Sequence, residues 1–271
     1  MEIGASLAQV ELFASDPRAL SAFYTSTFAL QPTARGEGFT CSAPGRQLVL
    51  VPGEGGQLRS ASFRFHVAAS FRAHREALDL RRVQKVEEGA DAFTVRDPEG
   101  RLITFLAPAL EPKPEDRAVL EARLQHFAVR TPTPEAIVDF YVGKLGFVLS
   151  DRVLDGNGAM TAAFMRTDSE HHSMAIFKAP SIRFDHFSCE APDWNDLRVW
   201  ADHMAEVGVD LAWGIGRHGP GNDTFLMVKD ADGNMGEVSC DLEVCRPDRL
   251  AGTWPHRPQT LNRWGVAIMR I

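Results

Sequence analysis

Tyrosine and cysteine are scarce in this 271-residue chain, at two and four copies. The cysteines (Cys41, Cys189, Cys240, Cys245) form no CxxC pair, and a chain of this length does not need a disulfide framework, so they read as reduced thiols. Long apolar runs are missing. The longest are pieces such as Gln47–Pro52, and no basic stretch followed by an apolar core opens the chain, so neither a membrane span nor a signal peptide is expected. Basic charge is also short, with 29 Lys+Arg against 36 Asp+Glu and a net charge of −7. That balance offers no general attraction to phosphate backbones or anionic lipid, so nucleic acid and membrane are not expected partners. What is present is ordinary globular composition, 44% hydrophobic and 24% charged, which excludes a disordered tail, a collagen or a coiled coil. A cytoplasmic protein of two domains, each ~100–150 residues, fits these bounds.

The chain repeats itself. Leu7–Leu30 (LAQVELFASDPRALSAFYTSTFAL) matches Leu124–Phe147 (LQHFAVRTPTPEAIVDFYVGKLGF) without a gap, sharing Pro17 with Pro134 and Phe23-Tyr24 with Phe140-Tyr141. Phe93–Pro108 likewise matches Phe225–Leu242, where Asp97/Gly100 and Asp230/Gly233 mark tight turns between alternating strands. Pro134 and the cap residue Asp193 open helices, and Phe184–Cys189, Met174–Phe177 and Phe225–Val228 read as strands. The pattern predicts four βαβββ modules at 6–57, 58–110, 122–180 and 181–243. Glu111–Ala118 would be the linker between halves, each with a core of its own.

Differences between the halves point to chemistry. Seven of the nine histidines lie in the second half. His126 stands fourteen residues before Phe140, where the first half has Gln9 before Phe23. His186 lies on the first strand of the fourth module, whose counterpart in module two offers Arg64 or a neighbour. Glu237 follows Asp230 by seven residues, as Thr104 follows Asp97. Two imidazoles and one carboxylate make a facial ligand set with open positions, suited to Fe(II) and also to Mn(II), and only the second half has it. In DSEHHSMAIF, strand alternation would send one of His171 and His172 inward and leave the other facing solvent. His218 sits in a Gly/Pro loop, and the tail with Trp254, Pro255 and Trp264 could cover a domain or a neighbour's surface.

These segments resemble the vicinal oxygen chelate superfamily (glyoxalase/bleomycin resistance/dioxygenase fold), and within it the type I extradiol ring-cleavage dioxygenases. The resemblance is carried by HFAVRTP…FY…LGF, HHSMAIF, RFDHF, GRHGPGND and FLMVKDADGNMGEV. It implies an α+β fold of tandem βαβββ modules, two domains each with an open mixed β-barrel flanked by helices. Residues 1–110 would form a domain without metal and 122–271 one with metal and a C-terminal tail, joined by 111–121. It further implies that His126, His186 and Glu237 hold Fe(II), with Mn(II) as the alternative, and that His172 is the acid/base residue and His218 flanks the substrate. His171 and Met227 are expected beside the substrate, Met227 at the position where the family usually has a tyrosine in FLY. The implied reactants are a small aromatic diol and O2, and the implied assembly is a homo-oligomer. A metal-dependent lyase or isomerase of the same superfamily and an inactive binding protein remain the alternatives.

Overall fold

The computed structural model describes residues 2–109 and 120–269, so the expected linker Glu111–Ala118 lies outside the described residues. Module one is β1 (Ala5–Ala14), α1 (Pro17–Phe28), β2 (Gln31–Arg35), β3 (Gly38–Ala43) and β4 (Arg46–Pro52). Module two follows with β5 (Gln57–Phe65), α2 (Ala68–Leu80), β6 (Lys85–Glu88), β7 (Ala92–Arg96) and β8 (Leu102–Leu106). The third comprises β9 (Arg123–Thr131), α3 (Pro134–Val138, continued by a π-helical turn over Asp139–Lys144), β10 (Val148–Leu154), β11 (Met160–Arg166) and β12 (Met174–Lys178). The fourth is β13 (Arg183–Glu190), α4 (Trp194–Glu206), β14 (Trp213–Arg217), β15 (Thr224–Lys229) and β16 (Met235–Cys240), before a tail with β17 (Gly252–Pro255) and α5 (Pro258–Leu261).

Local chemistry sets these boundaries. Asp16 and Asp193 cap α1 and α4, each carboxylate accepting from two backbone N–H groups of the first turn. Gly100 and Gly233 take the left-handed backbone (φ +92° and +80°) that closes the Asp-Gly turns, a conformation disfavoured for side chains with a Cβ. Within each module the first strand pairs parallel with the last, and modules join antiparallel through β1–β5 and β9–β13. The result is two mixed sheets, β2-β3-β4-β1-β5-β8-β7-β6 and β14-β15-β16-β13-β9-β12-β11-β10-β17. This is the α+β tandem fold expected from the pattern.

The halves do not have separate cores. One continuous hydrophobic cluster spans both, with Phe63 of β5 against Phe127 and Phe147 and with Phe28 of α1 against Phe187 of β13. Strands β9 and β13 are therefore buried on both faces, which explains their near-continuous burial. The residues shared by the repeat fasten this contact. Tyr24 Oη donates to Asp230 Oδ2 at 2.6 Å, and Tyr141 Oη donates to Asp97 Oδ2 at 3.1 Å, each tyrosine reaching the Asp-Gly turn of the opposite half. Tyr24→Phe should lower stability by ~1.5–3 kcal/mol in urea denaturation, because a buried carboxylate loses a donor. A loss below a few tenths would show that Asn234, which also donates to Asp230, satisfies it alone.

Candidate metal centre and pocket

His126 on β9 and His186 on β13 lie within reach of Glu237 on β16, and the ligating atoms of all three sit within 4.8 Å of one another. Two β-bulges aim them. The β9–β13 register skips Gln125 and Asp185, the residues immediately before each histidine, so these two side chains fold back beside the imidazoles instead of pointing to the opposite face. His126 Nδ1 meets Gln125 Oε1 at 2.5 Å, and His186 Nδ1 meets Asp185 Oδ1 at 2.7 Å. Gln125 Nε2 donates to the His172 carbonyl, which assigns Oε1 as the acceptor towards His126. Asp185 in turn accepts from Arg130 Nε at 2.6 Å.

Both acceptors require Nδ1–H on the imidazoles, so each ring in its neutral form presents its lone pair at Nε2, and the two Nε2 atoms are 3.1 Å apart. Two lone pairs at that distance repel unless a cation lies between them. Two nitrogens each ~2.1 Å from one ion, at roughly a right angle, are separated by ~3 Å. Glu237 Oε1 lies 3.8 Å from His126 Nε2 and accepts from Ser188 Oγ, while Oε2 is buried without a hydrogen-bond partner. Burial pushes His126 down to about 3, so its ring is neutral. Burial acts to raise Glu237, but its interaction with His218 is the largest of the opposing causes that hold the carboxyl at about 2, hence ionised. Neutral imidazoles oriented by carboxylate and amide acceptors, with one anionic oxygen left over, fit a divalent ion.

The first half supplies an internal control. Superimposing the strand registers pairs His126 with Gln9, Glu237 with Thr104 and His186 with Ser60, which corrects the expectation of Arg64. The same bulges occur there, at Ala8 and Arg59. The matching space is filled by Glu11, which accepts from Arg59 and Ser60, and Thr94 bonds Thr104 across β7–β8. No ligand set survives among those positions.

Beside His126 and His186 lies a narrow pocket with a cavity volume of about 20 Å³, so a ring can enter only as the side chains around it give way. Its wall runs from Phe164 on β11 through Phe177 on β12 to Trp213 on β14 and Met227 on β15, so the second sheet curls around it as an open barrel. Thr260 and Leu261 of α5 also line it. The tail thus covers its own barrel.

His172 lines the pocket, its ring 4.3 Å from that of His126, and burial lowers its pKa strongly. His171 does not line it. The expected strand alternation fails because the strand begins only at Met174, and the pair sits in the preceding turn with both rings buried. His218 stacks on Phe225 (3.8 Å, 8°), donates from Nδ1 to the Leu261 carbonyl, and lies 3.8 Å from Glu237 Oε2. Burial acts to lower its pKa, but Asp223 and Glu237 prevail and raise it. Met227 is fully buried on the wall.

Sequence reading missed Asp223, whose carboxylate is buried with neither oxygen hydrogen-bonded and which burial pushes up to about 7. It also missed Phe164, Phe177, Trp213 and the supporting Gln125 and Asp185. Only the last two left a signal, a polar residue directly before each histidine on an otherwise apolar strand.

The architecture defines a protein of paired βαβββ modules with one candidate His2Glu centre. Residues 123–238 match the model of the Glyoxalase/Bleomycin resistance protein/Dioxygenase superfamily. The chain is 32% identical over 154 residues to metapyrocatechase 2 of Cupriavidus necator, covering 55% of this chain and 46% of that protein. It is 26% identical over 249 residues to an iron-dependent extradiol dioxygenase of Rhodococcus jostii, covering 81% of each. The match with metapyrocatechase 2 thus spans about half the length of that relative. Among solved structures, the Mn(II)-bound glyoxalase of Novosphingobium aromaticivorans shares the fold with a TM-score of 0.82 at 22% identity, over 99% of this chain and 93% of that one. The homoprotocatechuate 2,3-dioxygenase of Brevibacterium fuscum shares it at 0.79 and 23%, over 99% and 91%.

Proposed function

We propose that this chain is an Fe(II)-dependent extradiol dioxygenase that opens the ring of a catechol-type diol with O2. The observation that carries the reading is the pair of Nε2 lone pairs facing each other at 3.1 Å beside an unpartnered carboxylate oxygen, at the floor of an aromatic-lined pocket. His126, His186 and Glu237 would hold the ion. When bound, it supplies Lewis acidity for the diol oxygens and a template for both reactants. The remaining work falls to this chain's own side chains. Neutral His172 takes a proton from a diol hydroxyl at Nε2 and returns it to the ring-opened product. His218, whose protonated form is favoured by Asp223 and Glu237, donates a hydrogen bond from Nε2 towards oxygen that becomes negative. Phe164, Phe177 and Trp213 exclude water and hold the ring. The direct test is turnover under ¹⁸O2: both labelled atoms in one ring-opened product support the reading, and unlabelled product supports a lyase or isomerase instead.

The lining also sets a substrate preference. No lysine or arginine lines the pocket among the described residues, so a ring carboxylate would have to compete with Asp223 and Glu237 for His218. Apolar, bulkier or bicyclic diols should be preferred over carboxylated ones. Met227, in the place where the resemblance leads one to expect tyrosine, offers a flexible thioether in place of a hydroxyl. Met227→Tyr should raise kcat/KM for small catechols several-fold, from the ~0.5–1.5 kcal/mol of one added neutral hydrogen bond, and lower it for bulky diols. Equal changes across a substrate series would show that this side chain does not touch the ring.

A further inference from the structure

Behind His172, on the side away from the pocket, lies a buried Asp151–His171 pair that the ring-cleavage reading does not use. His171 Nδ1 is 3.1 Å from His172 Nδ1, and His171 Nε2 is 3.1 Å from Asp151 Oδ2. The N–H of that second contact is aimed to one side of the oxygen, so the contact is bent. All three side chains are nearly or fully inaccessible. Asp151 is itself fixed by three further donors: Trp254 Nε1 at 2.7 Å, the Gly252 backbone N–H at 3.0 Å and Arg249 Nη2 at 3.1 Å. Gly252 is required there, because a Cβ at that position would stand 2.4 Å from Asp151 Oδ1. The turn carrying the histidines is tied to the same tail segment, with the His171 N–H donating to the Glu243 carbonyl and the Cys245 N–H to the Ser169 carbonyl.

With His171 neutral, these contacts admit one arrangement of protons. A carboxylate held by cationic and neutral donors is an acceptor, so the nitrogen facing it, His171 Nε2, carries the hydrogen. A neutral His171 then has its lone pair on Nδ1, and the Nδ1 of His172 facing it must be the donor. That leaves the His172 lone pair on Nε2, the nitrogen with no protein partner. We propose that Asp151 and His171 are positioning residues that hold His172 as its Nδ1–H tautomer, with the C-terminal tail as their anchor. The inference rests on the role given above to His172. It deepens that role by stating why the pocket-side nitrogen can accept a proton before any substrate arrives.

The test combines a spectroscopic and a kinetic arm on the full chain. Long-range ¹H–¹⁵N spectra of the chelator-treated, ¹⁵N-histidine-labelled protein should show His172 as the Nδ1–H tautomer and His171 as the Nε2–H tautomer. In the iron-loaded enzyme His171→Phe should lower kcat by about 10²-fold, the scale of a misplaced catalytic group, with KM and metal content unchanged. His171→Asn, whose amide oxygen can take the place of Nδ1 as acceptor, should recover all but a several-fold loss and restore the Nδ1–H signature. His172 found as Nε2–H in the wild type, or His171→Phe turning over at the wild-type rate, would overturn the proposal. The spectra need no turnover. A wild-type protein inactive on every catechol would therefore count against the ring-cleavage reading, while the tautomers would still be decided.

Discussion

His172→Phe is expected to retain its metal and lose turnover by ~10²–10⁴-fold, the range typical of removing a positioned acid or base. The ring of His172 lies against His126, yet His126, His186 and Glu237 converge without it. Its Nδ1 is engaged by His171, which directs that nitrogen away from the ligand cluster. Phenylalanine fills the same volume among Phe164 and the neighbouring imidazoles, so the pocket should keep its shape. A variant that keeps full activity would remove His172 from the chemistry. One that loses its metal would instead place His172 in the ligand set.

The second large effect concerns the ligands. The wild-type protein should take up about one divalent ion per chain, because only one half carries a facial set. His126→Ala, His186→Ala and Glu237→Gln should each release it and abolish activity. The counterpart positions Gln9, Ser60 and Thr104 are occupied by the Glu11–Arg59–Ser60 and Thr94–Thr104 contacts, so no second equivalent is expected. Metal analysis after gel filtration reads the stoichiometry and also decides between iron and manganese. Two equivalents per chain, or retention by all three variants, would refute the assignment. Because the hydrophobic core is shared between halves, the variants should be checked for folding by near-UV circular dichroism before metal loss is attributed to the ligand.

How much of this was legible in the sequence depended on periodicity. An ungapped repeat and two Asp-Gly turns reveal the modules, and comparing the halves singles out His126, His186 and Glu237, whose ligating atoms the structure brings together. Two features stayed hidden because they depend on the third dimension. The bulges at Gln125 and Asp185 place consecutive residues on one side of a strand, which alternation cannot foresee, and the missing register left Ser60 unidentified. The His171-His172 pair was misread for a related reason: a turn, fixed by backbone bonds to a tail some seventy residues away, buries both rings. The shared tyrosines look like helix-core residues in the sequence. Only the folded chain shows each one bonded to the opposite half.

Oxygen consumption by the iron-loaded protein, followed with an electrode across a panel of catechols, tests the central claim most directly. Apolar and bicyclic diols should drive stoichiometric uptake with appearance of a ring-opened, strongly absorbing product, and carboxylated catechols should be slow. No uptake with any diol, from either the wild type or Met227→Tyr, in protein that holds its iron would contradict ring cleavage.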